Sequence, residues 1–173
     1  MGYTVILPTL NESGHILSLI KDIGSVLSEL KQKYEIIIVD DNSSDGTIDL
    51  VRKIGKEKPE VQLFVRENKK KNLAESINLG IQKSKGEYIA FLDSDDKWFP
   101  HKLKLCVEFL ENGYDLVGHG VRYIGKRRKA DSALGPQKDM NFHRLLYKGN
   151  CLATSATMVR RDLVESIGGF TED

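Results

Sequence analysis

Two acidic clusters stand where apolar runs end: Asp40-Asp41 after Ile36-Ile37-Ile38-Val39, and Asp93-Ser94-Asp95-Asp96 after Tyr88-Ile89-Ala90-Phe91-Leu92. Carboxylates a few ångströms apart raise one another's pKa or recruit a cation, and in an all-oxygen site the usual cation is a divalent metal carrying a phosphorylated ligand. If strand conformation ran on through Asp93-Ser94-Asp95, residues two apart would share a face and the two carboxylates would make half of a metal shell. A hard ion held there keeps some waters, takes its other oxygens from a diphosphate and neutralises charge on a departing phosphate. Asp41 invites different chemistry, because a carboxylate beside a strand end can accept hydrogen bonds from a base imide or from ribose hydroxyls, leaving Asp40 a structural role. The plain alternative is that these residues cap helices or sit solvated in loops. An Asp-x-Asp triplet is common on its own, and its place after a buried strand is what gives it weight.

Such a site needs elements that bring strand ends to one edge. Continuous apolar runs, without alternation, predict strands buried on both faces at 3–7, 35–39, 61–65 and 88–92, the first broken at Pro8. Between them lie helical patterns: Ile16, Leu19, Ile20, Ile23, Val26, Leu27 and Leu30 after Asn11-Glu12-Ser13; Ile48, Val51 and Ile54; Leu73, Ile77 and Ile81, stopping near Lys85-Gly86. A helix from about Pro100 with Leu103, Leu105, Val107, Phe109 and Leu110, then a strand at 116–123, completes a right-handed, mostly parallel, doubly wound α/β sheet. In that architecture ligands bind beyond the carboxyl ends of the strands, so the five carboxylates would share one mouth. Beyond it a polar, basic loop at 125–138 leads to a short helix around 142–147, a strand at 156–159 and a last helix ended by Gly168-Gly169.

The bulk numbers bound the partners. A chain of 173 residues, 40% hydrophobic and 29% charged, fits one globular domain. With 26 Lys plus Arg against 25 Asp plus Glu, the net charge of +1 gives no field to attract nucleic acid. Cys106 and Cys151 are too few and too far apart for a disulfide framework or a zinc site, which fits free thiols in a reducing compartment. The first strand-like run starts at Tyr3 without a charged leader, and no apolar stretch approaches the roughly 20 residues that span a bilayer. A cytoplasmic location is therefore expected, with peripheral contact at the inner face of the membrane as its variant. The basic runs Lys69-Lys70-Lys71 and Gly125-Lys126-Arg127-Arg128-Lys129 are solvated loops by default; the first could reach a diphosphate, the second an anionic lipid-linked ligand or a membrane surface. His15, His101, His119 and His143 share no ligand spacing, and Trp98 is expected to pack under the acidic loop.

The segments Pro8-Thr9-Leu10-Asn11-Glu12, Val39-Asp40-Asp41-Asn42-Ser43-Ser44-Asp45-Gly46-Thr47, Gly86-Glu87-Tyr88-Ile89-Ala90-Phe91-Leu92-Asp93-Ser94-Asp95-Asp96 and Gly168-Gly169-Phe170, in that order, resemble glycosyltransferase family 2, the inverting enzymes of GT-A fold. The likeness runs over nearly the whole chain and is more specific than any one motif. It implies a Rossmann-like GT-A domain over residues 1–173, truncated at its C-terminus. It also implies that Asp93 contacts ribose or metal, that Asp95 binds the Mn or Mg ion bridging a nucleoside diphosphate, and that Asp41 holds the base, with Pro8, Leu10 and Glu12 lining the base pocket. The donor would be a nucleoside-diphosphate sugar, a UDP-sugar favoured, and the acceptor a glycan or lipid-linked molecule in polysaccharide or envelope assembly. Oligomeric state is left open. Asn150-Cys151-Leu152-Ala153-Thr154-Ser155-Ala156 resembles the stretch near donor sugar and acceptor, with a plain loop into a strand as the alternative.

The chain also departs from the family pattern. It has Leu10 where many members carry an aromatic, Asn72 where glycine is frequent and Ile77 where arginine is frequent. The family's catalytic base is an Asp of an acidic pair some way past Gly-Gly-Phe, so the base is unassigned and expected beyond Asp173, whose own place matches the acidic residues directly after that motif. Two rival classes use similar residues. A non-catalytic nucleotide-sugar-binding module would need only the donor-binding set. A phosphoacceptor signalling domain would use Asp40-Asp41 and Asp93, although such domains open on the strand carrying the acidic pair, and here a strand and helix precede it.

Overall fold

The computed structural model describes residues 2–29, 33–67, 71–93, 95–122, 133–134 and 152–172. The basic run at 125–129, the helix expected around 142–147, and Lys69, Lys70, Ser94, His143, Cys151 and Asp173 lie outside the described residues. Four strand–helix units open the chain: β1 (Gly2–Thr9), α1 (Ile16–Glu29), β2 (Lys33–Asp40), α2 (Thr47–Glu57), β3 (Val61–Val65), α3 (Leu73–Lys83), β4 (Tyr88–Phe91) and α4 (Lys102–Glu111). Then come β5 (Leu116–Gly118), β6 (Val121–Arg122), β7 (Ala133–Leu134), a 3₁₀ turn (Thr154–Ala156), β8 (Thr157–Arg160) and α5 (Arg161–Ser166).

Six strands form one sheet in the order β3-β2-β1-β4-β8-β5, with β6 and β7 paired apart from it. β1 runs parallel to β2 and β4, and β2 to β3, whereas β8 is antiparallel to both of its neighbours. The strand expected at 116–123 is two. β5 pairs with β8 only from Leu116↔Val159 to Gly118↔Thr157, and where β8 gives way to the 3₁₀ turn the chain leaves the sheet to pair as β6 with β7.

β1 also runs through Pro8 instead of breaking there. Thr9 directs its carbonyl toward β2, where it accepts from the Asp41 N–H at 2.9 Å, so the preceding residue faces β4. Pairing with β4 ends at Ile6↔Phe91, and the N–H that proline lacks has no partner to miss.

Alternate residues of the central strands feed two cores, as a sheet covered on both faces requires. Val5, Leu7, Ile36, Ile38, Tyr88 and Ala90 pack with Ile16, Ile20, Ile23 and Leu27 of α1, Val51 of α2 and Leu103, Val107 and Leu110 of α4. Ile6, Ile89 and Phe91 pack on the other face with Ile77 and Ile81 of α3 and Val164 of α5. Leu73, expected on one face with Ile77 and Ile81, is 59% exposed, and in α4 Leu105 is 47% and Phe109 52% exposed. At about 100° per residue, Leu103, Val107 and Leu110 share one stripe of α4 and Leu105 and Phe109 fall on the other side. The entry to β4 is tight, because a Cβ on Gly86 would lie 2.6 Å from Thr4 Oγ1 and 2.7 Å from Thr4 N. Among the described residues no helix is long and apolar enough to cross a membrane.

Candidate nucleotide and metal site

Parallel pairing puts the ends of β1, β2 and β4 on one edge of the sheet. β2 and β4 flank β1, so Asp41 and Asp93 leave the edge roughly 10 Å apart at ordinary strand spacing, with the loop after Pro8 between them. Two loops at this rim are stitched together. Ser43 Oγ accepts from the Asn11 N–H at 2.8 Å, Asn11 Oδ1 from the Ser44 N–H at 3.0 Å, Thr47 Oγ1 from the Glu12 N–H at 2.9 Å and Asp45 Oδ2 from the Ser13 N–H at 2.9 Å. Bonds from Thr47 and Ser13 hold the Asp45 carboxyl well below the usual carboxylate range. Asn11 and Asn42 take φ of 56° and 60°, the left-handed region that asparagine tolerates better than most side chains.

Asp40 and Asp41 divide their work. Asp40 is fully buried and accepts from both the N–H and the hydroxyl of Ser43 at 2.7 Å, fixing the turn into α2. Asp41 is 6% exposed and turned toward α3. Its Oδ1 accepts from Arg66 Nη1 at 2.7 Å and its Oδ2 from the Asn72 N–H at 3.0 Å. Arg66 also donates to the Asn72 carbonyl at 2.9 Å and to Ser76 Oγ at 3.2 Å, and it pairs with Glu75. Lys71, read as part of a solvated run, reaches back to the carbonyls of Asp41 and Asn42. A carboxylate oxygen has two lone pairs, so Asp41 retains acceptor capacity beyond the bonds from Arg66 and Asn72 that orient it.

Asn72 has a reason to replace glycine. It is the N-cap of α3, its Oδ1 accepting from the N–H groups of Ala74 at 3.0 Å and Glu75 at 3.3 Å, while its own N–H holds Asp41. Asn72→Ala is expected to lower the unfolding free energy by about 1 kcal/mol and Asn72→Gly by only a few tenths, measured by urea unfolding. Ile77 is buried against Ile6 and Phe91, so the guanidinium beside Asp41 comes from the end of β3, at Arg66, and not from α3.

The second acidic cluster is a loop, not a continued strand. β4 stops at Phe91, the Asp96 N–H returns to the Asp93 carbonyl at 3.1 Å, and the turn leaves Asp93 half-buried but Asp95 and Asp96 exposed. Asp93 and Asp95 therefore do not share a strand face. Burial raises the Asp93 pKa, a hydrogen bond from Ser155 lowers it, and the charges of Asp96 and Asp95 raise it again, for a net upward shift. Beneath the loop Trp98 packs on the larger core as expected, and its Nε1 donates to the Ser155 carbonyl at 2.8 Å. That carbonyl also accepts from Lys102 Nζ at 2.6 Å, and Lys102 lies 3.9 Å from the Trp98 ring centroid. Burial pushes the Lys102 pKa down to about 7. His119 is half-buried, with Nδ1 2.7 Å from the Gly120 carbonyl and a pKa lowered by burial.

Glu12, Asp95, Asp96 and Trp98 line a cavity of about 460 Å³ against α1, and Arg66, Glu75, Asn78 and Gly169 line another of about 650 Å³ beside α3. Asp41 lines neither. Pro8 is half-buried and Leu10 is 40% exposed at the rim between them. Gly168 and Gly169 both have φ of +79°, and Asn78 holds the following backbone, accepting from the Phe170 N–H at 2.8 Å and donating to its carbonyl at 2.7 Å. A Cβ on Gly169 would lie 2.4 Å from Asn78 Oδ1, and Phe170 meets Phe91 edge-on at 5.6 Å.

Among the described residues no three Asp, Glu, His or Cys side chains gather where they could hold a metal ion. Carboxylates are the ligands a hard divalent cation takes, with water in its open positions. Asp93, Asp95 and Asp96 stand within four residues of one loop, and after burial and the Ser155 bond the charges of Asp96 and Asp95 add to the upward shift of the Asp93 pKa.

The family model described as Glycosyl transferase family 2 matches residues 4–168. The Escherichia coli protein WfaP, a UDP-Glc:alpha-D-GlcNAc-diphosphoundecaprenol beta-1,3-glucosyltransferase, is 32% identical over 145 residues, covering 84% of this chain and 56% of its own. S. aureus TarS in complex with UDP-GlcNAc aligns over 99% of this chain and 49% of its own, with a TM-score of 0.76 at 23% identity. The mannosyltransferase PcManGT from Pyrobaculum calidifontis, in complex with GDP-Man and Mn2+, gives a TM-score of 0.72 at 24% identity over 99% of this chain and 48% of its own. The chain spans about half the length of each of these proteins. The mostly parallel sheet flanked by helices is the GT-A architecture they share with it.

Proposed function

Because this chain belongs to glycosyl transferase family 2, we propose that it is the donor-binding part of an inverting, metal-dependent glycosyltransferase that takes a nucleoside-diphosphate sugar, a UDP-sugar favoured. One observation carries the reading: β2 and β4 end on the same edge with β1 between them, so a base held at Asp41 and a diphosphate at Asp93 and Asp95 are spaced across the Pro8–Glu12 loop. Asp41, oriented by Arg66 and Asn72, accepts the base N–H. Pro8, Leu10 and Glu12 line the base pocket. Asp95 and Asp93 hold a Mn or Mg ion, which when bound supplies Lewis-acid stabilisation of the leaving diphosphate.

WfaP is named for a UDP-Glc donor and a diphosphoundecaprenol acceptor, and PcManGT is seen with GDP-Man and Mn2+, which supports a nucleotide-sugar donor, a metal and a glycan or lipid-linked acceptor here. A lipid-linked acceptor would bring the protein to the inner face of the membrane. Deprotonation of the acceptor hydroxyl needs a general base, and none of the residues assigned here takes that role.

Calorimetric titration of UDP, GDP and dTDP, with and without manganese, tests the reading. UDP is expected to bind tightest, with an affinity that manganese raises and Asp95→Ala leaves insensitive to the metal. Identical titrations for wild type and Asp95→Ala would sink the assignment.

A further inference from the structure

Ser155 gathers at one residue the bonds that hold the acidic loop. The last sheet bond on that strand runs from the Leu92 N–H to the Ile6 carbonyl at 3.5 Å, so from Asp93 onward the backbone has left the ladder. Ser155 takes over there: its Oγ accepts from the Asp93 N–H at 2.9 Å. Its carbonyl accepts from Trp98 Nε1 at 2.8 Å and from Lys102 Nζ at 2.6 Å, five and nine residues further along the same loop and the helix it enters. Ser155 and Lys102 are each 5% exposed, so these bonds form out of water, where an unmade one leaves a polar group stranded. Ser155 itself sits in the 3₁₀ turn that enters β8, and β8 is anchored in the sheet between β4 and β5.

We propose that Ser155 is a positioning residue for the acidic loop: its hydroxyl fixes the Asp93 backbone and its carbonyl fixes Trp98, so the turn at 154–156 sets where the Asp93 and Asp95 carboxylates stand. The proposal rests on reading that loop as the metal and diphosphate site. Ser155 makes no contact with the reacting groups in this role. It acts through Asp93.

Amide hydrogen exchange on the metal-free chain, together with UDP titration with and without manganese, separates the two ideas in Ser155→Ala, Ser155→Thr and Trp98→Phe. In Ser155→Ala the Asp93 amide is expected to exchange roughly 3- to 10-fold faster, as for one lost hydrogen bond, while amides of β1 and β2 keep their rates. The manganese-dependent gain in UDP affinity should fall by a similar factor, and Ser155→Thr, which keeps the hydroxyl, should restore both. Trp98→Phe keeps an aromatic ring, smaller than the indole, and removes the donor; it should speed exchange over 95–98 and lower the same gain, and it carries the test alone if Ser155→Ala does not fold. Unchanged exchange at Asp93 in Ser155→Ala overturns the proposal, as does faster exchange with an intact manganese-dependent gain, which would make the bond structural only. A wild-type chain with no manganese-dependent gain overturns the site reading itself, and the positioning role falls with it.

Discussion

Replacing Arg66 with alanine is expected to lower the unfolding free energy by about 3–5 kcal/mol, the range for removing one partner of a buried ion pair. The guanidinium is 6% exposed and lies between Asp41, itself 6% exposed, and Glu75, with further bonds to the Asn72 carbonyl and Ser76. Without it the Asp41 carboxylate is left with the Asn72 N–H bond in a place with little water, where an unpaired charge is costly. At roughly 2–4 °C per kcal/mol for a chain of this size, the melting temperature should fall by about 10 °C. Arg66→Met combined with Asp41→Asn should be more stable than Arg66→Met alone, because the stranded charge is gone. A double-mutant cycle that sums to additivity would show that the pair is not coupled and that Asp41 is held by something else.

The other large effect concerns Lys102, and its sign depends on pH. Its pKa falls from 10.5 to about 7 on folding because the ammonium is buried. Between those values the unfolded chain binds the proton and the folded chain does not, so stability rises with pH across that window. Below pH 7 both states are charged and the whole burial cost is present, on the order of 3–5 kcal/mol at 1.36 kcal/mol per pKa unit. Lys102→Met removes a charge and keeps an apolar stem of similar length beside Trp98 and Leu103. It should therefore be more stable than wild type at pH 6, with the advantage shrinking as pH climbs from 7 toward 10.5. Urea unfolding of both proteins at pH 6 and pH 9.5 measures this. An advantage of equal size at the two pH values would mean that Lys102 does not release its proton on folding.

Much of the fold was legible because its signals are local. The runs before Asp40 and before Asp93 are continuous, branched and apolar, which is what a strand covered on both faces must be, and the helices between them repeat at helical spacing. From parallel strands the common edge follows, but one mouth for all five carboxylates does not: Asp40 is buried in the turn into α2, Asp41 turns toward α3, and only Asp95 and Asp96 line the cavity beside α1. Membership of glycosyl transferase family 2 confirms the resemblance carried by those clusters and by Gly168-Gly169-Phe170, and it removes the phosphoacceptor alternative.

The misreadings have physical causes of the same kind. Pro8 looked like a strand end because proline lacks a ladder donor, yet it falls where the neighbouring strand has already stopped. Asp93 and Asp95 would share a face only if strand conformation ran on past Leu92, and the Asp96 N–H to Asp93 carbonyl bond makes that stretch a turn.

Arg66 and Ser155 were invisible for another reason. Arg66 meets Asp41 across 25 positions and Glu75 across nine, and Ser155 meets Asp93 across 62, so no spacing in the sequence announces either contact. Ile77 stands where arginine is frequent in the family, but that departure did not point to Arg66 as the partner of Asp41. For Ser155 there was the resemblance of its segment to the stretch near the donor sugar, which suggests proximity but assigns no bond.

The central claim is that the carboxylates of the β4 loop hold a divalent ion against a donor's diphosphate while Asp41 holds the base. Diffraction at the manganese absorption edge, from crystals of the chain grown with UDP and manganese, tests it most directly. The account predicts one strong anomalous peak within coordination distance of an Asp95 carboxylate oxygen and of the UDP phosphates, with the uracil N–H directed at Asp41. A manganese peak away from Asp93 and Asp95, or UDP bound with its base in the cavity beside α1 and out of reach of Asp41, would contradict it.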